Sequence, residues 1–169
     1  MRHSLLPNGI IAGTLLLATL TLSLSNANAQ RAAAPADFLA FLDKADAAQL
    51  ELQKGRVDAY KALWSHADDV TLSGGLGGAI EKGWPAVGKR LDWVGTQFSN
   101  GTNRIERIVA HGSGDLGYLV QAEHLRYRVP ATGAEATRDY RVTMIFRREA
   151  NGWRIIHRQA DSQVVKQGA

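Results

Sequence analysis

The chain has 169 residues, of which 45 % are hydrophobic, with 20 Lys and Arg against 16 Asp and Glu and a formal net charge of +4. It contains no cysteine, which excludes disulfides and thiolate metal sites. Its mild basicity comes without a Lys/Arg block, which argues against a nucleic-acid partner.

The N-terminus opens with Met1-Arg2-His3, continues with an apolar run from Ile10 to Leu24, and reaches the small residues Ala27-Asn28-Ala29. A basic start, a short greasy middle and an A-x-A end are the parts of a secretory signal peptide. The run is shorter and more dilute than the ~20 apolar residues of a spanning helix. Residues 1–29 are therefore expected to be a cleaved signal, leaving a periplasmic or secreted protein with no membrane attachment. Arg2 is the only Lys or Arg in that segment, so the remainder carries 19 basic against 16 acidic residues. The remaining 140 residues are enough for one domain with a real core.

Residues 30–36 read as a linker. From Asp37 the apolar residues Phe38, Phe41, Leu42, Ala45, Ala48 and Leu52 recur at helical spacing, with Asp37 to cap the helix and Gly55 to end it. A short second helix carries Val57, Tyr60 and Trp64 on one side, and Val70-Thr71-Leu72 reads as a brief strand. The glycine-rich turn Gly74-Gly75-Leu76-Gly77-Gly78 follows. Trp84-Pro85 opens a third helix with Val87, Leu91, Val94 and Phe98 on its inner stripe. After Asn100-Gly101 the period changes to two, predicting strands over 104–111, 116–129 and 138–149. A last strand, 152–161, is joined to its predecessor by Asn151-Gly152, a strong hairpin signal. Helices first and an antiparallel meander afterwards predict an α+β domain over 37–163, with a short tail over 164–169.

Strict alternation from a turn at Asn151-Gly152 puts His157, Gln159 and Asp161 on the same face as Trp153, Ile155, Tyr140, Val142, Met144 and Phe146. That apolar face must turn toward the helices. Three polar residues in succession on it predict a site. The other face holds Arg141, Thr143, Ile145, Arg147, Arg154, Ile156 and Arg158, apolar enough to be covered yet ringed by charge, which predicts a homodimer through it.

The pieces His66-Ala67-Asp68-Asp69-Val70-Thr71, Gly74 to Gly78, Gly83-Trp84 to Trp93, Arg141 to Arg148 and Gly152 to Asp161 stand in a specific order and spacing. In that order they resemble the SnoaL-like branch of the ketosteroid-isomerase-like (nuclear transport factor 2-like) superfamily, over about residues 37–163. The resemblance implies a curved antiparallel sheet wrapped around N-terminal helices, a cone-shaped α+β barrel of cystatin-like type, with a ligand pocket at its open end and frequent dimerisation. It also implies chemistry without a cofactor, on a small hydrophobic molecule. Relatives commonly carry a second histidine where Gln159 stands, and an amide cannot titrate near neutral pH.

In such a pocket His157 or Asp161 would be the base, Tyr60, Tyr118 or Tyr140 the oxyanion donors, and Trp64, Trp84 and Trp93 the walls, with Gln159 as a ligand contact. The alternative is that His157 and Gln159 hydrogen-bond structural partners and the aromatics are core. His66 and Asp68 have an H-x-D spacing, but at a helix-to-strand junction they read as turn formers, and no metal site is expected. Two functions remain open: a cofactor-independent isomerase, dehydratase or cyclase, or a non-catalytic binding or interaction module. A tyrosine and a carboxylate converging at the pocket floor would favour the first. A pocket plugged by Trp and Met would favour the second.

Overall fold

The computed structural model describes residues 34–162. The expected signal segment and the tail over 164–169 lie outside them. Helix α1 spans Ala36–Gln53, so Ala36 belongs to the helix rather than to the linker. Its buried stripe is the expected one, Phe38, Phe41, Leu42, Ala45, Ala48 and Leu52, together with two glutamines, Gln49 and Gln53. Helix α2 is a single turn, Asp58–Lys61, with Tyr60 buried. Strands β1 (Thr71–Ser73) and β2 (Glu81–Lys82) flank the glycine-rich turn. Helix α3, Trp84–Gly95, starts with Pro85 in its first turn. It buries Val87 and Leu91.

Strands β3 (Ser99–Ser113), β4 (Leu116–Arg128), β5 (Glu135–Glu149) and β6 (Gly152–Asp161) form the meander. The sheet order is β2-β1-β6-β5-β4-β3. It is a curved, unclosed, six-stranded sheet on the helices, as the α+β class requires. One pairing departs from the all-antiparallel expectation: β1 runs parallel to β6. The connection between the two strands, β2 through β5 with α3, is long enough to return β6 alongside β1 in the same direction.

Asn100-Gly101 is not a break before the sheet. It is a bulge within β3, where Asn100 takes φ 50 and the register shifts between Ser99 and Thr102. Only glycine fits the second position, since a Cβ at Gly101 would overlap the backbone carbonyl of Gln53 at the end of α1. The core lies between the concave face and the helices. Phe38 meets Phe146 edge-on and Trp153 at a tilt, with ring centroids 5.3 and 4.7 Å away. Phe98 meets Tyr127 edge-on at 4.7 Å.

The last hairpin corrects the alternation count. Its turn falls at Ala150-Asn151, with Glu149 opposite Gly152 and Phe146 opposite Ile155. A turn one residue earlier moves every pair by two, which preserves parity, so Trp153 and Ile155 stay inside. The ladder then shifts between Ile145 and Phe146, and Ile145 pairs with His157. Ile156 is the extra residue of a bulge, and one extra residue inverts every face after it. Arg158 and Ala160 therefore turn inward. His157, Gln159 and Asp161 turn outward, contrary to the expectation that they share the inner face.

Candidate functional site

The inner face of β4 alternates Leu119, Gln121, Glu123, Leu125 and Tyr127, all buried. Two polar residues interrupt an apolar face, and one of them, Glu123, is a carboxylate with no solvent exposure. Such a charge persists only if it is paired and fully hydrogen-bonded. Arg158, brought inside by the β6 bulge, supplies the pair: its two terminal nitrogens donate to Glu123 Oε1 and Oε2 at 3.0 and 2.8 Å. Gln49 Nε2 from α1 and Gln121 Nε2 from β4 each donate at 2.6 Å. Burial alone would raise the Glu123 carboxyl, but the Arg158 charge and these four hydrogen bonds outweigh it and hold it below its ordinary value. Burial likewise disfavours the Arg158 cation, and the adjacent carboxylate more than restores it.

This pair borders an interior cavity of about 60 Å³. Leu52, Leu72, Leu91, Val94, Phe98 and Leu125 supply apolar walls, and Gly74, Gly75 and Leu76 of the glycine-rich turn close one side. The turn stands close because Gly75 lacks a side chain, a Cβ there overlapping the Tyr140 ring. Arg90 of α3 fixes the turn by donating to the Gly77 carbonyl at 2.5 Å.

Tyr60 and Tyr140 also border the cavity, and both hydroxyls are buried without a hydrogen-bond partner. Tyr140 lies directly across the ladder from Glu123. Desolvation pushes the Tyr60 phenol up to about 12 and raises Tyr140 too, each only partly offset by arginine charge nearby. Both are therefore neutral hydrogen-bond donors over the whole physiological range. Unpartnered buried donors are costly unless something accepts from them. The chemistry of this arrangement is donation toward an acceptor oxygen beside an ionised but tightly held carboxylate.

Of the nine residues expected at the site, the structure brings Tyr60 and Tyr140 to the cavity. Trp64 is buried deeper in the core, its ring edge-on to Tyr60 at 6.4 Å. Trp93 is 43 % exposed under the Arg90 guanidinium, because at 100° per residue it points nearly opposite Leu91 on α3. Trp84 stacks on the exposed His66, ring centroids 3.9 Å apart, at the entry to α3. The other four lie on the convex face. His111, Tyr118, Ile145, His157 and Thr71 form one row of cross-strand neighbours there. His157 Nδ1 meets Thr71 Oγ1 at 2.7 Å, and burial lowers the imidazole pKa. Gln159 pairs with Thr143 in the next row and is exposed. Asp161 accepts from Arg141 Nε and a terminal nitrogen at 3.0 and 2.6 Å.

Sequence reasoning missed Glu123, Gln121, Gln49 and Arg158. The β4 residues carried a readable signal, polar side chains at the inward parity of an apolar strand. Arg158 carried none, since its orientation depends on a bulge. Among the described residues no group of three or more His, Asp or Glu side chains is placed to hold a metal ion, and no helix is long and apolar enough to cross a membrane.

The fold matches solved structures over most of their length. A nuclear transport factor 2-like superfamily protein from Salmonella enterica serovar Typhimurium superposes with a TM-score of 0.65 at 19 % identity, covering 76 % of this chain and 92 % of that one. A ketosteroid isomerase-like protein from Erwinia carotovora atroseptica gives 0.61 at 20 % identity, covering 76 % and 97 %. At these identities the likeness concerns the fold. No curated protein matches the chain. The model of the SnoaL-like domain matches residues 40–164, which takes in both β4 and β6 and hence the whole cavity. The chain belongs to the SnoaL-like domain family.

Proposed function

We propose that this domain binds a small, largely apolar molecule through a carbonyl or enol oxygen in the cavity between the helices and the sheet. The observation that carries this reading is the pair of buried, unpartnered tyrosine hydroxyls, Tyr60 and Tyr140, bordering a cavity with apolar walls. A carbonyl oxygen accepts two hydrogen bonds and leaves none of its own to satisfy, so it fits two donors. Apolar walls with a few convergent polar groups are the usual composition of such sites. The Glu123–Arg158 pair sets a fixed field across the cavity while contributing little net charge.

A second reading, turnover by a cofactor-independent isomerase or dehydratase reaction, is favoured by one feature: an ionised carboxylate, Glu123, stands beside the two phenols. The ketosteroid isomerase-like neighbour is consistent with it. Four donors on Glu123 make it a weak base, which is why binding is the primary reading. Export through residues 1–29 and assembly as a homodimer belong to the same proposal.

Tyr60→Phe tests it. The phenyl ring keeps the packing and removes the donor, so affinity for a neutral methyl ketone such as 2-heptanone should fall about tenfold, the worth of one hydrogen bond to a buried acceptor. Calorimetric titration reads the change, and thermal unfolding should show little loss, because the hydroxyl has no partner in the free protein. Unchanged ketone affinity in both Tyr60→Phe and Tyr140→Phe would refute the reading.

A further inference from the structure

The glycine-rich turn has a second side. Across it from the cavity lies an open groove of about 440 Å³. Gly74, Gly75 and Leu76 line both spaces, so the wall between them is the turn itself, two of its three residues being bare backbone. The cavity alone is far below the roughly 300–1,000 Å³ of ordinary ligand sites, so a ligand of that size must extend beyond it. The turn contains two further glycines at positive φ, Gly77 at 78° and Gly78 at 96°, and a Cβ at Gly77 would meet nothing within 4 Å. Its side-chain tether from α3 is the Arg90 bond. A thin, glycine-built wall is one that a ligand can displace.

The groove also contains Arg138. Arg138 sits two residues before Tyr140 on the inward parity of β5, and its cross-strand neighbour is Leu125 of the cavity wall. Its Nε donates to Tyr127 Oη at 3.0 Å, and no carboxylate among the described residues forms an ion pair with it. Asp161 shares the groove, but Arg141 already grips its carboxylate. The groove therefore contains a guanidinium that has no carboxylate partner among the described residues and stands one step along the strand from a cavity tyrosine. A planar guanidinium is the group that matches a carboxylate with two parallel hydrogen bonds.

We propose that cavity and groove are two compartments of one binding site whose ligand is a short apolar carbonyl compound bearing a carboxylate, with the carbonyl end beside Tyr60 and Tyr140 and the carboxylate on Arg138. The proposal rests on the cavity reading above and adds the anionic end and the route past the turn.

The test uses a matched pair of probes, 6-oxoheptanoate and its methyl ester, titrated calorimetrically into the native protein. The acid should bind at least tenfold tighter than the ester, and in Arg138→Gln this ratio should fall to about one. Equal affinity of acid and ester in the native protein overturns the proposal without needing the variant, so a folding defect in Arg138→Gln cannot rescue it. Acid preference that survives in a folded Arg138→Gln overturns it as well. Ester binding that depends on Tyr60, with no preference for the acid, leaves the cavity reading standing and removes only the carboxylate. Failure of both probes to bind removes both.

Discussion

Glu123 and Arg158 are the residues on which the interior most depends. Each is a charge that cannot stand without the other, Glu123 having no exposure and the Arg158 side chain 11 %. Glu123→Gln should cost about 3–5 kcal/mol in urea unfolding, the usual penalty for leaving a buried charge uncompensated. The pair also gives stability an acid limit. Its carboxyl lies lower in the folded than in the unfolded chain, so its contribution is complete above the unfolded value of about 4.3 and is lost as pH falls through the folded one. A variant lacking Glu123 should lack that component of the acid decline. His157 is a different case, an imidazole bonded to Thr71 on the convex face. His157→Gln should lose about 1 kcal/mol at pH 8 and leave cavity-ligand affinity unmoved. Burial lowers the His157 pKa, so the unfolded chain takes up the proton first and the native protein loses stability as pH falls through about 6.5. The gap between native and variant, followed by thermal unfolding, should therefore narrow toward pH 5. A gap that widens would show that the folded state favours the charged imidazole.

At the scale of elements, two bulges decide which side chains reach the site. The bulge at Ile156 turns Arg158 inward and His157 outward. The bulge at Asn100-Gly101 lets β3 start at Ser99 and pass beneath the end of α1. Helix periodicity and strand alternation were readable because each recurs over many residues, and the α1 stripe and the inward residues of β4 follow them. A bulge is one residue long and leaves no periodic trace, so parity counted from a turn is reliable only as far as the first bulge. Gly101 is the more testable of the two. An alanine there must displace the Gln53 backbone, a rigid neighbour, and should cost about 1–3 kcal/mol by chemical denaturation. Alanine at Gly114, where the space is open and only the φ of 58° is strained, should cost nearer 1 kcal/mol.

At the scale of the whole molecule, the convex face is the surface that asks for a partner. Leu116, Tyr118 and Ile145 are 57, 38 and 37 % exposed, and with His111 and Thr143 they line one apolar depression. Charges of both signs lie farther along the same face, among them Arg104, Glu106, His124 and Asp139, so the face can be self-complementary about a two-fold axis. A second copy of this chain is the expected occupant. Sedimentation at micromolar concentration should give twice the monomer mass, and Ile145→Lys should give the monomer with unchanged thermal stability at high dilution. A native protein that stays monomeric would show the patch to be ordinary surface.

The sequence by itself determined the fold class, the α1 stripe, the four-stranded meander and the place of the glycine turn, because all of these follow from backbone periodicity and local turn chemistry; the two-residue strand β2 is too short to leave such a trace. It also pointed to Tyr60, on a helix, and to Tyr140, on the strand of the last hairpin that carries no extra residue. Only the tertiary structure decided the rest of the site. Glu123 and Arg158 lie 35 residues apart and become partners through a register that one extra residue inverts. Whether a polar side chain on a strand faces a cavity or the solvent is a matter of cross-strand pairing, and pairing is a property of two strands, not of either one alone.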